Sequence, residues 1–281
     1  MEKETVMIQR GTVQETLLIP LFARAEESLR IQNPILIDQK SMDVIRQINY
    51  DFTKISKDWI TLISVIVRTR ILDDLTREYI QNNPDALILN LGCGLCTRFF
   101  RMDNGRVNWI DLDMPDVITF KRKLIPESDR YHFIPKSLTD PSWVEDFKNF
   151  YHSPTLSNQK ILIIAEGLLY YLESSLVQQI FDQIKASFPH AEMFIEVATK
   201  KMVADCYKYS ALDQMGQKFV WGLDNIYELE KLNSNMKVKK QYLYYNRFRS
   251  RWKHYMLLHF VPSMRKSLTI VHLIPNKNQQ N

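Results

Sequence analysis

No stretch of this sequence is apolar for long enough to span a bilayer. Its most apolar segment, Ile161 to Leu172, is short and interrupted by Glu166. The opening M-E-K-E-T-V has no apolar core ahead of a cleavage site, which argues against a secretory signal. Three cysteines in 281 residues are too few for a disulfide framework and point to a reducing compartment. Neither sign of charge dominates: 37 basic against 32 acidic residues leave +5, too mild by itself to imply nucleic acid. Internal repeats are missing, and the only low-complexity segment is the polar tail from Asn276 to Asn281. What is present is ordinary for a globular protein, 45% hydrophobic and 25% charged. The length suits one large α/β domain with an adequate core. These bounds predict a cytoplasmic enzyme with no membrane or nucleic-acid partner.

The informative stretch is Asp85 to Arg98, D-A-L-I-L-N-L-G-C-G-L-C-T-R. A short apolar run, Ala86 to Leu91, closed by Gly92 and Gly94 reads as a buried parallel strand handing over to a helix. Glycine there permits positive φ and lets a flat ligand lie against the backbone. Acids follow about twenty positions on, in W-I-D-L-D-M-P, placed to accept hydrogen bonds from ribose hydroxyls. A dinucleotide site would want a third glycine beneath the pyrophosphate, and Thr97 stands in its place. S-adenosylmethionine has no phosphate to cradle, so the broken motif favours that cofactor over NAD.

Around this turn the chain alternates. Strands are predicted over Ala86 to Leu91, Val107 to Leu112, His132 to Pro135, Lys160 to Ala165 and Ala191 to Val197. Helices fall between them: Asp116 to Leu124 with Pro115 in its first turn, Pro141 to Phe150, and Leu176 to Phe188 capped by Ser174 or Ser175. Lys237 to Leu243 and Ser267 to Ile274 supply a terminal pair of strands. The expected fold is α/β, a Rossmann-like seven-stranded class I methyltransferase sheet whose last strand is antiparallel. It carries an N-terminal helical cap over residues 1–83, a cofactor-binding core over 84–199, a lid or substrate insertion over 200–240 and terminal strands over 241–275. In the cap, Thr12 is placed to cap the first helix, a second carries Val44, Ile45 and Ile48, and a long one runs from Trp59 to Tyr79. Spacing alone puts Arg68 and Arg70 on its solvated face.

With the strands placed, the chain resembles the leucine carboxyl methyltransferase family, in particular its bacterial polyketide-synthesis O-methyltransferase branch. The likeness rests on A-R-A-E near Arg24, N-P-I-L-I-D before Asp38, V-R-T-R at Arg68 and Arg70, and the glycine segment from Leu89 to Arg101. It continues through W-I-D-L-D-M-P, A-E-G-L-L-Y-Y-L from Ala165 to Leu172, and W-G-L-D from Trp221 to Asp224. The resemblance implies S-adenosyl-L-methionine-dependent methylation of an oxygen, on a small-molecule carboxylate or hydroxyl. It also implies residue roles. Arg24 and Arg68 would hold the cofactor's carboxylate, a task suited to a planar guanidinium. Gly92 and Gly94 would pass beneath it, and Asp113, with Asp111 as a second candidate, would take the ribose. Ser137 and Leu138 would hold the adenine, Glu166 would face the amino group, and Tyr171 would stand with Arg68 at the reacting centre. Two alternatives stay open: methylation of a protein C-terminus, and cofactor binding without catalysis.

A hydroxyl acceptor would need a base, for which His132, His152 and Glu196 are the candidates. Where the family has Leu-Asp-Thr-Arg after the second glycine, this chain has Leu-Cys-Thr-Arg, so that Cys93 and Cys96 form a C-x-x-C. Zinc is not expected, since only Cys206 and scattered histidines remain as ligands. Tyr242 to His254 interleaves aromatics with basic residues as single-strand binders do, but also suits aromatics packed inward beneath solvated arginines. Tyr207, Tyr209, Phe219 and Trp221 are candidate walls of an acceptor pocket.

Overall fold

The structure, a computed structural model, describes residues 6–7, 13–152, 159–205 and 218–276. Its cap begins with β1 (Val6–Met7), α1 (Val13–Ser28), α2 (Gln39–Ile45), β2 (Ile48–Asn49), α3 (Thr53–Lys57) and α4 (Trp59–Asn82). The core follows as β3 (Leu87–Leu91), α5 (Arg98–Met102), β4 (Asn108–Asp113), α6 (Pro115–Leu124), β5 (Tyr131–Pro135), α7 (Trp143–Tyr151), β6 (Ile161–Ala165), α8 (Ser174–Ser187) and β7 (Glu192–Ala198). Then come α9 (Lys200–Asp205), β8 (Met236–Leu243) and β9 (Leu268–Pro275).

Seven strands form one sheet in the order β5-β4-β3-β6-β7-β9-β8. The first five are parallel, and β9 runs antiparallel to both of its neighbours. The central strands β3 and β6 are buried along their whole length and, apart from Asn90, apolar, because both faces are covered. Alternation divides their side chains. Ile88, Leu162 and Ile164 join the core under the helical cap, whereas Leu87, Leu89 and Ile163 join the core beneath α7 and α8. Between β3 and β6 the strand order reverses, which opens a crevice at their carboxyl ends.

Several local expectations need correction. Ile48 lies in β2, paired with β1, and not on the second helix. Neither Ser174 nor Ser175 caps α8; Glu173 occupies that position, and no side chain accepts there. Thr12 lies outside the described residues. The helix from Trp59 extends to Asn82, with Asp58 accepting from the Thr61 N–H at its start. Among the described residues no helix is long and apolar enough to cross a membrane.

Candidate active site

The turn after β3 is built for close approach. Gly92 and Gly94 have φ of +58° and +47°, in the left-handed region that favours glycine. A Cβ on Gly92 would come within 2.6 Å of the Leu168 side chain. The Cys93 N–H donates to the Leu112 carbonyl at 3.1 Å, which ties the turn to β4. The Gly94 N–H donates to Asp113 Oδ2 at 2.7 Å.

Asp111 and Asp113 point to the same side of β4, yet their surroundings differ. Asp111 is buried and accepts from Asn90 Nδ2 at 2.8 Å, Trp109 Nε1 at 2.9 Å, Lys121 Nζ at 2.5 Å and Tyr131 Oη at 2.5 Å. Those four donors use its lone pairs inside the fold, so Asp111 is corrected from a ribose candidate to a core residue. Asp113 is half-buried at the strand's end and, among the described residues, accepts from the Gly94 and Met114 N–H groups alone. Burial pushes its carboxyl above the usual range, against the pull of those two N–H groups.

A cavity of about 410 Å³ opens beside the turn. Gly92 to Cys96 line it together with Arg24, Arg68, Glu166, Tyr170, Tyr171 and Glu196. Two other clefts of comparable volume, about 450 and 460 Å³, are bordered by surface lysines and arginines and contain no part of the glycine turn. Ser137 and Leu138 follow β5, two strands away from β3, and do not line the cavity. They lie beyond Asp113, so the ends of β3, β4 and β5 present the glycine turn, Asp113 and Ser137-Leu138 in sequence.

Arg68 is not on a solvated face. Its Nε donates to Glu166 Oε1 at 2.8 Å, and its Nη1 donates to Glu196 Oε2 at 3.1 Å and to Tyr170 Oη at 3.2 Å. Arg70, two residues on, is the solvated one, paired with Asp74. Arg24 donates through Nε to Asp38 at 3.0 Å and through Nη2 to the Leu95 carbonyl at 2.8 Å. Arg98 joins Asp73 to Glu166, each at 2.7 Å. Arg101 bridges Asp73 and Asp38. Four guanidiniums thus face four carboxylates in one buried, electrically balanced network. At Glu166 burial opposes the charge, but Arg98 and Arg68 prevail and hold its carboxyl well below the usual range. Arg101 and Arg24 do the same for Asp38, and Arg101 and Arg98 for Asp73.

Among the described residues, Arg68 Nη2 and Arg24 Nη1 have no hydrogen-bond partner, and both side chains border the cavity. Unused guanidinium N–H groups beside a glycine turn suit a ligand that carries a carboxylate. Glu196 is fully buried and accepts from Arg68, the Gly167 N–H (2.7 Å), Tyr170 Oη (3.2 Å) and Tyr244 Oη (2.6 Å). These donors occupy both of its oxygens inside the fold. His132 stacks on Phe150, away from the cavity, and His152 is exposed on the far end of α7. Neither serves as a base here.

One part of the wall lies in an unexpected place. Tyr244, Tyr245, Tyr255, Met264 and Ser267, all in the connection between β8 and β9, close the cavity. That connection includes the aromatic-basic stretch, and its aromatics pack inward: Trp252 is buried and holds Tyr245 at a ring separation of 4.5 Å. Arg251 ties it to α1 through Glu27 at 2.6 Å. Of the four candidate aromatics, Phe219 lines the cavity, Trp221 belongs to the opposite core, and Tyr207 and Tyr209 lie outside the described residues. Cys93 and Cys96 are both free thiols.

Solved structures share the fold. A duf574 family protein from Streptomyces avermitilis MA-4680 superposes with a TM-score of 0.57 at 9% identity, over 91% of this chain and 97% of that one. An S-adenosylmethionine-dependent methyltransferase from Anabaena variabilis ATCC 29413 gives 0.51 at 10% identity, over 81% and 96%. Sequence likeness is closer. The tetracenomycin polyketide synthesis O-methyltransferase TcmP of Streptomyces glaucescens is 33% identical over 82% of each chain. The S-adenosyl-L-methionine-dependent methyltransferase dpfgK of Gibberella zeae is 31% identical over 77% of each. The profile of leucine carboxyl methyltransferases matches residues 19–185, and with it the chain belongs to the leucine carboxyl methyltransferase family and has the class I S-adenosylmethionine-dependent methyltransferase fold.

Proposed function

We propose that this protein is an S-adenosylmethionine-dependent O-methyltransferase of a small molecule of secondary-metabolite type, with a carboxylate as the favoured acceptor. The cofactor supplies an electrophilic methyl group on a sulfonium. Unused N–H groups of Arg24 and Arg68 are placed to hold a carboxylate, and Gly92 and Gly94 to let the ligand lie against the backbone. Asp113, Ser137 and Leu138, at the ends of β4 and β5 beyond the cavity lining, would take the ribose and the adenine. Glu166, anionic between two arginines, offers its remaining lone pairs to an ammonium. Tyr170, Tyr171, Phe219 and Tyr244 form the wall on the acceptor side, where they exclude water and align the nucleophile. Alignment of this kind is worth roughly 7–11 kcal/mol in a displacement.

One observation carries the choice of a carboxylate. Among the described residues, the cavity lining holds no histidine, lysine or aspartate, and its two glutamates are occupied by arginine, phenol and N–H donors. Burial raises the Tyr170 and Tyr244 hydroxyls well above their ordinary value, so neither phenol is a base. With no such base among the described residues, the cavity suits an acceptor that arrives ionised. The test is calorimetric titration with S-adenosylmethionine, followed by tritium transfer to panels of small carboxylic acids, phenols and alcohols. Label in the acids supports the reading. Label in alcohols alone, with a rate that climbs with pH through a single ionisation, overturns it.

A further inference from the structure

We infer that Cys93 and Cys96 form a reversible thiol–disulfide modification site built into the cofactor-binding turn. They stand at the two ends of a four-residue turn, closed by the Cys96 N–H donating to the Cys93 carbonyl at 2.9 Å. Such a turn keeps its end Cα atoms within about 7 Å, overlapping the span of a disulfide. Gly94, with φ of +47°, gives the turn the freedom to tighten. Both cysteines also meet one cation. Buried Lys121 places Nζ 3.5 Å from Cys93 Sγ and donates to the Cys96 carbonyl at 3.1 Å. A neighbouring ammonium favours thiolate as it forms.

The two thiols have different access. Both border the cavity, but Cys96 is half-buried, whereas Cys93 is buried and its burial pushes its thiol up. Cys96 therefore meets the oxidant. A hydroperoxide converts its thiol to a sulfenic acid and is itself reduced to the alcohol, or to water for hydrogen peroxide. The Cys93 sulfur then attacks the Cys96 sulfur; the S–S bond forms, the S–O bond breaks, and water leaves with the Cys93 proton.

The consequence lies in the two residues between the cysteines. The Gly94 N–H holds Asp113, and the Leu95 carbonyl holds Arg24. Contracting the turn shifts both groups at once, so the disulfide form binds S-adenosylmethionine at least tenfold more weakly. By linkage, bound cofactor favours the dithiol by the same factor, about 30 mV in reduction potential for a tenfold change. This cofactor effect rests on the function proposed above; formation of the bridge does not.

The experiment uses the full chain with Cys206→Ser, treated with hydrogen peroxide with and without S-adenosylmethionine. Peptide mass mapping reads the bridge as a Cys93–Cys96 peptide two hydrogens lighter, and calorimetry reads the cofactor. The expected result is a bridge that dithiothreitol reverses, a tenfold or larger loss of affinity, slower oxidation under cofactor, and no bridge in Cys96→Ser. Cys93 remaining a thiol while Cys96 advances to sulfinic acid would overturn the proposal, as would a bridge that leaves affinity unchanged. Should the reduced chain bind no S-adenosylmethionine, the proposed function fails, while the mass map still decides whether the pair bridges.

Discussion

Replacing Arg68 by alanine tests the ion network and the cofactor assignment together. The side chain reaches Glu166 at 2.8 Å and Glu196 at 3.1 Å, and is itself only 11% exposed. Removing one partner from a buried ion pair costs about 3–5 kcal/mol. Here the orphaned carboxylates keep company: Glu166 retains Arg98, and Glu196 retains two phenols and the Gly167 N–H. The lower end, about 3 kcal/mol, is expected, which for a chain of this size lowers the melting temperature by roughly 6–12 °C. If Arg68 also grips the cofactor's carboxylate, losing a hydrogen bond to a charged group costs a further 1.5–3 kcal/mol or so in binding. That is roughly ten- to hundredfold in Kd. Calorimetry well below the variant's transition, with circular dichroism to confirm the fold, separates the two effects. A variant that melts within about 2 °C of the parent would refute the energetic reasoning. Unchanged cofactor affinity in a folded variant would refute the placement of the arginine.

Three further outcomes are expected. Gly92→Ala, with φ of +58° and Leu168 in the way at 2.6 Å, should lose about 1–3 kcal/mol in denaturant unfolding. Adding Leu168→Ala should relieve the clash but not the backbone strain, and full recovery would contradict this account. Tyr244→Phe leaves a buried carboxylate without its 2.6 Å donor and should lower stability by about 1–3 kcal/mol, read from urea midpoints. Finally, Asp38, Asp73 and Glu166 sit below their ordinary values in the folded state, so they contribute stability above their unfolded pKa values of about 4. That contribution disappears as pH falls through the folded values; midpoints should hold at neutral pH and drop below about pH 4, and a rise on acidification would refute the assignment.

The strands were legible because both faces of β3 and β6 are buried, which leaves an apolar run that no surface strand shows. The glycine turn was legible for a similar reason, since its backbone needs residues without a Cβ. What escaped depends on contacts between distant segments. Arg68 and Arg70 look alike in sequence, but a 100° step per residue turns one to Glu166 and the other to solvent. Asp111 and Asp113 share a face by strand periodicity, and what separates them is the ring of donors around Asp111, Lys121 and Tyr131 from the next two elements among them. The wall from the β8–β9 connection gave no periodic signal, because it is irregular chain held by Arg251 and Trp252.

The balanced network has a consequence for how the parts of this chain can be exchanged. Two of its cations and two of its anions, Arg24, Arg68, Asp38 and Asp73, come from the segment before the sheet; Arg98, Arg101, Glu166 and Glu196 come from the sheet side. Most pairings cross the seam. A chimera that grafts a relative's helical segment onto this sheet inherits matched apolar surfaces at little risk, but it must bring all four ionic residues in register or strand their counterparts in a dry interior. The seam therefore behaves as a lock with eight charged wards, closed between the described helices ahead of β3 and the sheet they cover.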